Sequence, residues 1–262
     1  NAAGATVGTL TTTDDDNIHG DTHTYTLSGT DAASFEVVNG QLKLKDSISA
    51  NYEVIDSYSV TVTTTDAAET SFNQVLTITV IDTNDSPVMI SAATFSADEN
   101  QTVVDTVTAT DEDGNTLTYS LSGTDEASIS INSTSGAITF NSAPNYEVKN
   151  SYTVTVTAGD GLFSDSQQTT IDVIDVNDAP VMTATATFSA NENQTGVGTV
   201  TASDEDGNTL TFSLSGTDTS SFSIDSASGV LTFDTEPDYE TKISYSVTVT
   251  ASDGIINESQ AL

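Results

Sequence analysis

Apolar residues alternate with Thr or Ser over short stretches along the whole chain. Examples are TYTLS at Thr24–Ser28, YSVTVTT from Tyr58, LTITV from Leu76 and YTVTVTA from Tyr152. This period of two, rich in β-branched and aromatic residues and bounded by Gly, Asn, Asp and Pro, is typical of half-buried β-strands. No stretch has a convincing helical pattern. The chain is therefore predicted to be all-β.

The sequence repeats itself at a long interval. FSADENQ at Phe95–Gln101 returns as FSANENQ at Phe188–Gln194, 93 positions later by subtraction. DTNDSPV at Asp82–Val88 returns as DVNDAPV at Asp175–Val181 by the same step. An earlier copy is indicated by TYTLSGTD at Thr24–Asp31, which matches later segments in the same order. Three tandem repeats are predicted, covering residues 1–85, 86–178 and 179–262.

About seven short strands in about 93 residues suit an antiparallel two-sheet sandwich with Greek-key connections, of the cadherin or immunoglobulin-like type. We predict three such sandwiches in an elongated array. The inner faces of the first copy are predicted to carry Tyr25, Leu27, Tyr58, Val60, Val62, Leu76, Ile78 and Val80. Both outer repeats are expected to be truncated, the first at the start of its first strand and the third before its last strand and linker.

Charge restricts the range of partners. Four basic residues stand against 39 acidic ones, for a formal net charge of −35, and there is no cysteine. Such a chain repels phosphate backbones and anionic lipid, so we expect no nucleic-acid binding and no direct membrane insertion. It attracts cations, either diffusely, to keep a secreted fibre soluble, or at specific metal sites.

The spacing of the acids favours specific sites. They recur beside turns: in EN pairs before a strand, in YE pairs, in DxND linkers, in DxDGN loops, and singly after the VTVT strand. Calcium takes six to eight oxygen ligands from carboxylates, carbonyls and water, and turns can supply all three.

These motifs, in this order, resemble the calcium-binding motifs of cadherin repeats. The resemblance covers all three repeats and rests on DTNDSP and DVNDAP, the EN and YE pairs, and DxDGN followed by YSL or FSL. It implies that the base of one repeat, the linker and the top of the next repeat jointly bind calcium, with about two to three ions at each complete joint.

Transferred residue by residue, the resemblance assigns ligands to two joints. At the first joint they are Asn51, Glu53, Asp82, Asn84, Asp85, Asp111, Asp113 and Asp160, with Ser86 and Asn115 as carbonyl donors. At the second they are Glu99, Asn145, Glu147, Asp175, Asn177, Asp178, Asp204, Asp206 and Asp253, with Asn208 and Ala179 as carbonyl donors. Half-sites are expected at Asp14, Asp16 and Asp66, and at Glu192, Asp238 and Glu240.

The chain departs from the cadherin pattern at one ligand. The acid that precedes the YE pair is Asn at positions 51 and 145 and Asp at position 238. The outermost ion of both joints therefore loses a carboxylate. A second departure, the close spacing of Asn115 and Asn208 to the acids before them, is similar to bacterial cadherin-like repeats.

Catalysis has little support in the sequence, and we predict that the chain is not an enzyme. Its only histidines, His19 and His23, lie in an insertion of the first repeat with Asp21. This trio could bind a transition metal, although a surface loop is the commoner fate of such an insert. A glycosidase would need two carboxyl groups facing each other across a cleft, which repeated linker acids do not provide.

Three binding functions remain open: a calcium-stiffened spacer of a large surface adhesin, a homophilic contact, and a carbohydrate-binding module. Near-identical tandem copies favour the spacer, because extending reach needs no ligand pocket. The chain has no Trp, so the strand exchange that vertebrate cadherins make with an N-terminal Trp is not expected. Neighbouring repeats are the expected partners, other cell-surface proteins or glycans are possible ones, and the expected location is the cell surface.

Overall fold

The computed structural model describes residues 3–14 and 22–262. Strand accounts for 43% of the structure and helix for 4%, which confirms the all-β prediction. The first strands are β1 (Thr6–Thr9), β2 (Thr24–Ser28), β3 (Phe35–Val38), β4 (Gln41–Leu44), β5 (Ser57–Thr65), β6 (Ser71–Thr79) and β7 (Val88–Met89). They are followed by β8 (Thr94–Asp98), β9 (Val103–Thr106), β10 (Ala109–Thr110), β11 (Thr118–Ser122), β12 (Ile129–Ile131), β13 (Ala137–Phe140), β14 (Ser151–Gly159) and β15 (Ser164–Ile174). The last are β16 (Val181–Met182), β17 (Gly196–Thr199), β18 (Ala202–Ser203), β19 (Thr211–Ser215), β20 (Phe222–Ile224), β21 (Val230–Phe233), β22 (Thr248–Ser252) and β23 (Asn257–Ala261).

The chain divides into two compact units. Unit 1 comprises Asn1–Ser91, Thr108–Ser120 and Thr157–Ser166, and unit 2 comprises Ala92–Val107, Leu121–Val156 and Gln167–Leu262. The second predicted repeat contributes residues to both units. The repeat boundaries at 85/86 and 178/179 therefore stay a prediction.

Unit 1 contains a complete two-sheet sandwich. One sheet has the strand order β1-β4-β3 and the other β2-β5-β6. Phe35, Leu42 and Leu44 of the first sheet pack with Tyr58 and Val60 of the second. Val62 is also buried, and Leu27, Leu76, Ile78 and Val80 pack partly buried against the cluster, as the alternating pattern predicts. Tyr25 is half-buried.

Unit 2 contains a second sandwich with the same plan. Its sheets have the orders β17-β21-β20 and β19-β22-β23. Phe222, Leu231 and Phe233 of the first sheet pack with Val247, which immediately precedes the central strand of the second. Val200, Phe212, Val249 and Ala251 form a further buried cluster.

A parallel strand pair in unit 2 determines where the acids lie. β8 runs beside the end of β15, with Thr94 opposite Thr170 and Asp98 opposite Ile174. The EN pair that follows β8 is thereby brought beside the linker that follows β15. This pair belongs to a four-stranded sheet of order β11-β14-β15-β8, and β12-β13-β9 forms a further sheet.

Short helical turns are the one element that the sequence pattern missed. Ala32–Ser34, Glu126–Ser128 and Thr219–Ser221 each form a single 3-10 turn after an SGTD motif. Three residues are too few to show a helical period, so the pattern could not reveal them.

Candidate metal centres

Among the residues that the structure describes, acidic side chains converge in four groups, in each of which the candidate ligand atoms lie within 4.8 Å of one another. Two groups are in unit 1, namely Glu53 with Asp82 and Asp113, and Glu53 with Asp85 and Glu112. Two are in unit 2, namely Glu99 with Glu147, Asp175 and Asp206, and Glu192 with Asp238 and Glu240. Every one of these residues except Glu112 was predicted from the sequence.

Glu99 is the anchor of the largest group. Its residue is 1% exposed, and both carboxylate oxygens accept backbone hydrogen bonds. The Val176 N–H donates to Oε1 at 2.8 Å and the Tyr146 N–H donates to Oε2 at 2.8 Å. The backbone N–H of Glu99 itself donates to the Ile174 carbonyl at 3.0 Å, continuing the β8–β15 pairing. A buried charge held by two amides is rigid and cannot turn away from its neighbours.

The linker asparagines fix the single acids that follow the VTVT strand. In unit 2 the Asn177 amide donates to Asp253 Oδ2 at 2.7 Å and to the Asp178 carbonyl at 3.0 Å. In unit 1 the Asn84 amide donates to Asp160 Oδ2 at 2.7 Å. These amides hold the pKa of Asp253 and of Asp160 below its usual value.

The DxDGN loops also aim their acids by backbone geometry. Gly114 and Gly207 take the left-handed conformation, with φ of 71° and 73°, which glycine adopts without strain. The second Asp of each loop accepts a hydrogen bond from the linker backbone. The Asp85 N–H donates to Asp113 Oδ2 at 2.6 Å, and the Asp178 N–H donates to Asp206 Oδ2 at 2.7 Å.

The amides of Asn115 and Asn208 donate to the side-chain oxygens of the linker residues Asn84 and Asn177, at 3.1 and 3.2 Å. Their backbone carbonyls, and those of Ser86 and Ala179, stay predicted ligands.

Repulsion among the acids raises several pKa values. Partial burial, followed by repulsion from Asp206 and Glu99, raises the pKa of Asp175. Burial and Glu99 likewise raise the pKa of Asp178, against a lowering hydrogen bond from the Asn100 amide.

The two YE glutamates behave in the same way. For Glu147 and Glu53 the largest single effect, a hydrogen bond to the residue's own backbone, lowers the pKa. Partial burial and repulsion from neighbouring carboxylates outweigh it, so the pKa of each is raised.

Several carboxylate oxygens of the DxDGN loops are buried without a hydrogen-bond donor, and one of them belongs to Asp206, a member of the Glu99 group. Within the described part of the chain, Asp206 Oδ1, Asp204 Oδ2 and Asp111 Oδ2 are buried and have no hydrogen-bond partner. A buried anionic oxygen without a partner is costly, and a metal cation removes that cost. The donor set is oxygen only, which suits a hard cation such as calcium rather than zinc. The residues present therefore fit calcium.

The predicted half-sites differ. Glu192, Asp238 and Glu240 converge, and the Tyr239 N–H donates to Glu192 Oε2 at 3.2 Å. Within residues 3–14 and 22–262, Asp14 and Asp66 join none of the acid groups: Asp14 lies 3.6 Å from His23 Nε2, and Asp66 accepts from the Thr70 N–H at 2.8 Å. Asp16, His19 and Asp21 lie outside the described residues.

The structure brings in side chains that the sequence did not assign. The Asn51 amide donates to Glu112 Oε2 at 3.2 Å, and the Asn145 amide donates to Glu205 Oε1 at 2.7 Å. The Asn100 amide also donates to Asp178 Oδ1, at 3.0 Å. The sequence shows Glu112 and Glu205 as the middle acids of the two DEDGN loops. It does not show that their partners are the amides of Asn51 and Asn145, which only the folded chain brings close.

Comparison with known proteins relates the chain to cadherin repeats. Residues 185–261 match the model of the cadherin domain, and residues 84–173 match that of a bacterial Ig domain. The crystal structure of mouse cadherin-23 EC22-24 is 25% identical, with 98% of this chain and 91% of that chain covered and a TM-score of 0.62. This chain is built of tandem cadherin-like repeats.

Other solved structures share the fold of these cadherin-like repeats. Human CDH23 EC21-23 is 21% identical over 91% of this chain and 87% of that chain, with a TM-score of 0.64. PcdhgB3 EC1-4 is 22% identical over 99% and 70%, with a TM-score of 0.61. Among curated proteins no sequence match was found.

Cadherin repeats are non-enzymatic adhesion and structural domains, which confirms that the chain is not an enzyme. In the described part of the chain, no helix has the length and apolar character needed to cross a membrane.

Proposed function

We propose that these cadherin-like repeats are a calcium-dependent adhesive and spacer segment of an extracellular, bacterial-type surface protein. Calcium at the joints between repeats would rigidify an extended fibre. The observation that carries the proposal is the group of Glu99, Glu147, Asp175 and Asp206, whose member Asp206 has a buried carboxylate oxygen, Oδ1, without a hydrogen-bond partner.

Electrostatics explains why calcium would act as a clamp. Glu147, Asp175 and Asp178 all have a raised pKa, so their charges oppose one another when no cation is present. Two or three calcium ions would bring a charge of about +4 to +6 into each complete joint. Binding converts this repulsion into attraction and so couples metal binding to local order.

The proposed ligands are those assigned to the two joints by resemblance, apart from Asn51 and Asn145, whose side-chain amides donate to Glu112 and Glu205. Neighbouring repeats of the chain are the proposed partners. A second candidate is a lateral contact between copies. It is favoured by the likeness to a protocadherin gammaB7 EC3-6 structure described as a cis-dimer, 23% identical over 91% of this chain with a TM-score of 0.57. That comparison spans 65% of the gammaB7 chain.

The proposal is tested by calorimetric titration with calcium, with magnesium as the competing cation. We expect calcium to bind at the Glu53 groups of unit 1 and at the Glu99 group of unit 2. Magnesium should bind much more weakly, because it requires a small octahedral shell. Protease digestion in calcium and in chelator then tests the clamp, with protection of the linkers 82–88 and 175–181 expected only in calcium. Absence of calcium binding, or linkers cut equally in both conditions, would contradict the proposal.

A further inference from the structure

The amide pairs Asn51–Glu112 and Asn145–Glu205 occupy the place where the cadherin pattern has a further carboxylate. We propose that each pair is an ion substitute: a hydrogen bond that needs no cation takes over the contact that calcium would otherwise make, and the residue at 51 or 145 sets the ion count of its joint. This inference rests on the proposed calcium function and concerns its regulation.

Both ends of the Asn145 side chain are in use. Its Oδ1 accepts from the Val148 N–H at 2.8 Å, and its Nδ2 donates to Glu205 Oε1 at 2.7 Å. An amide nitrogen is a donor and cannot bind a cation. Asn51 is arranged alike, with Val54 donating at 3.1 Å and Glu112 accepting at 3.2 Å. Two independent copies thus form the same bridge.

Position 238 shows what an acid does in the same turn. Asp238 accepts from the Glu240 N–H at 3.0 Å and from the Thr241 hydroxyl at 2.9 Å. It also converges with Glu192 and Glu240 within 4.8 Å, as a member of an acid group. Asn145, at the corresponding position, brings no carboxylate to the group of Glu99, Glu147, Asp175 and Asp206. The change from acid to amide therefore removes one carboxylate from the group.

Charge decides how each version behaves without calcium. An Asn amide facing the Glu205 carboxylate is attractive, and a charge-assisted hydrogen bond of this kind is stronger than a neutral one. An Asp at position 145 would face the same carboxylate with a like charge and would be repelled unless a cation lay between them. The native bridge should therefore persist in chelator, while the acidic version should depend on calcium.

Asn145→Asp tests the ion count, with Asn150→Asp as the matched control because Asn150 is exposed and gains the same charge. Calorimetric titration should show one additional calcium ion for Asn145→Asp and none for the control. Equal ion counts for the wild type and Asn145→Asp would overturn the inference. A wild type that binds no calcium would instead overturn the proposed function, and the bridge would still be decided by the exchange measurement below.

Amide hydrogen exchange at Val148 tests the bridge itself. Wild-type exchange should be nearly the same in calcium and in chelator, whereas Asn145→Asp should exchange roughly fivefold faster in chelator than in calcium. Glu205→Ala should speed Val148 exchange roughly threefold in both conditions, and Glu112→Ala, which alters the other bridge, should not. Val148 exchange that depends strongly on calcium in the wild type, or that ignores Glu205→Ala, would overturn the inference.

Discussion

The Glu53 groups of unit 1 and the Glu99 group of unit 2 share the hydrogen bonds made within their linkers and loops. They differ in one residue that is distant in the sequence, Glu99. The backbone N–H of Asp85 donates to Asp113 at 2.6 Å, and that of Asp178 donates to Asp206 at 2.7 Å. The side-chain amides of the linker residues Asn84 and Asn177 donate to Asp160 and Asp253, each at 2.7 Å. Among the acid groups of the described residues, the Glu99 group alone includes a buried glutamate, which the parallel β8–β15 pair positions. Local motifs therefore reproduce most of the acid group, and strand pairing adds its buried, doubly hydrogen-bonded member.

The largest effect is expected from Glu99→Gln. The change removes a charge from the group and places an amide nitrogen where the Val176 or Tyr146 N–H needs an acceptor. Calcium affinity in unit 2 should fall at least about tenfold, towards that of unit 1, because affinity in oxygen sites follows ligand charge and rigidity. Calorimetric titration measures the two affinities in the same sample.

Glu192→Gln is the matched control for this change. Glu192 is the corresponding glutamate of the next EN motif, but it is exposed and its described backbone contact is a single one of 3.2 Å, to Tyr239. It should leave the unit 2 affinity at the Glu99 group nearly unchanged. Equal affinity of the unit 1 and unit 2 groups in the unmodified protein would show that Glu99 does not make the difference.

The next effect in size is expected from Asp178→Asn, compared with Asp85→Asn at the same place in unit 1. Burial and repulsion from Glu99 raise the pKa of Asp178, so removing its charge should relieve repulsion in chelator and weaken binding in calcium. Each substitution should act on its own group, because charges farther apart than a Debye length are screened. Thermal unfolding and titration of the two variants, each with and without calcium, test this. Loss of calcium binding in both groups from one substitution would contradict separate sites.

Most of the fold and most members of the acid groups could be predicted from the sequence. The period of two placed Tyr58, Val60 and Val62 in the core, and motif spacing identified Glu99 and the linker acids. The contacts of Glu112 and Glu205 could not be predicted, because a side chain in the middle of a loop motif has no periodic signal. The order of β8 beside β15 was equally hidden, since the pairing of distant strands is a property of the folded chain.

The change of stability with pH should differ between the two units, by a smaller amount than the substitutions above produce. Three acids of the unit 2 joint, Glu147, Asp175 and Asp178, have a raised pKa, against Glu53 in unit 1. A carboxyl group with a higher pKa in the folded than in the unfolded state binds protons more tightly when folded, so its unfavourable effect fades as the pH falls through that raised pKa.

In chelator, mild acid just above the ordinary carboxyl range should therefore stabilise the protein, and unit 2 more than unit 1. In calcium the sign should reverse, because protons compete with the metal for the same oxygens. Thermal unfolding across this pH window, with and without calcium, measures both effects. A fall in stability with acid under both conditions would show that repulsion does not dominate the metal-free groups.

The smallest effect concerns a lysine that unit 2 has and unit 1 lacks at the same position. Lys149 donates to Asp125, which also accepts from the Thr153 N–H at 2.8 Å, and its Nζ lies 4.5 Å from the centre of the Tyr152 ring. The lysine holds the pKa of Asp125 below its usual value. In unit 1 the corresponding Asp31 accepts from the Ser59 N–H at 2.7 Å, and the position of the lysine is Ile55.

Lys149→Met keeps an apolar stem over Tyr152 and removes the charge, so the ion pair with Asp125 and the contact of the ammonium group with the Tyr152 ring are lost. Because Lys149 is partly exposed, the loss should be about 0.5–1 kcal/mol at neutral pH. A lowered pKa contributes stability above the unfolded pKa of Asp125 and loses it as the pH falls through the folded one, so the two proteins should converge in acid. Thermal unfolding at neutral and acidic pH in chelator measures this difference. Ile55→Lys in unit 1 is the reciprocal change and should stabilise by a similar amount, since Asp31 presents the same backbone-held carboxylate. A loss for Lys149→Met that persists undiminished in acid would assign the effect to packing on Tyr152 instead of to the charge.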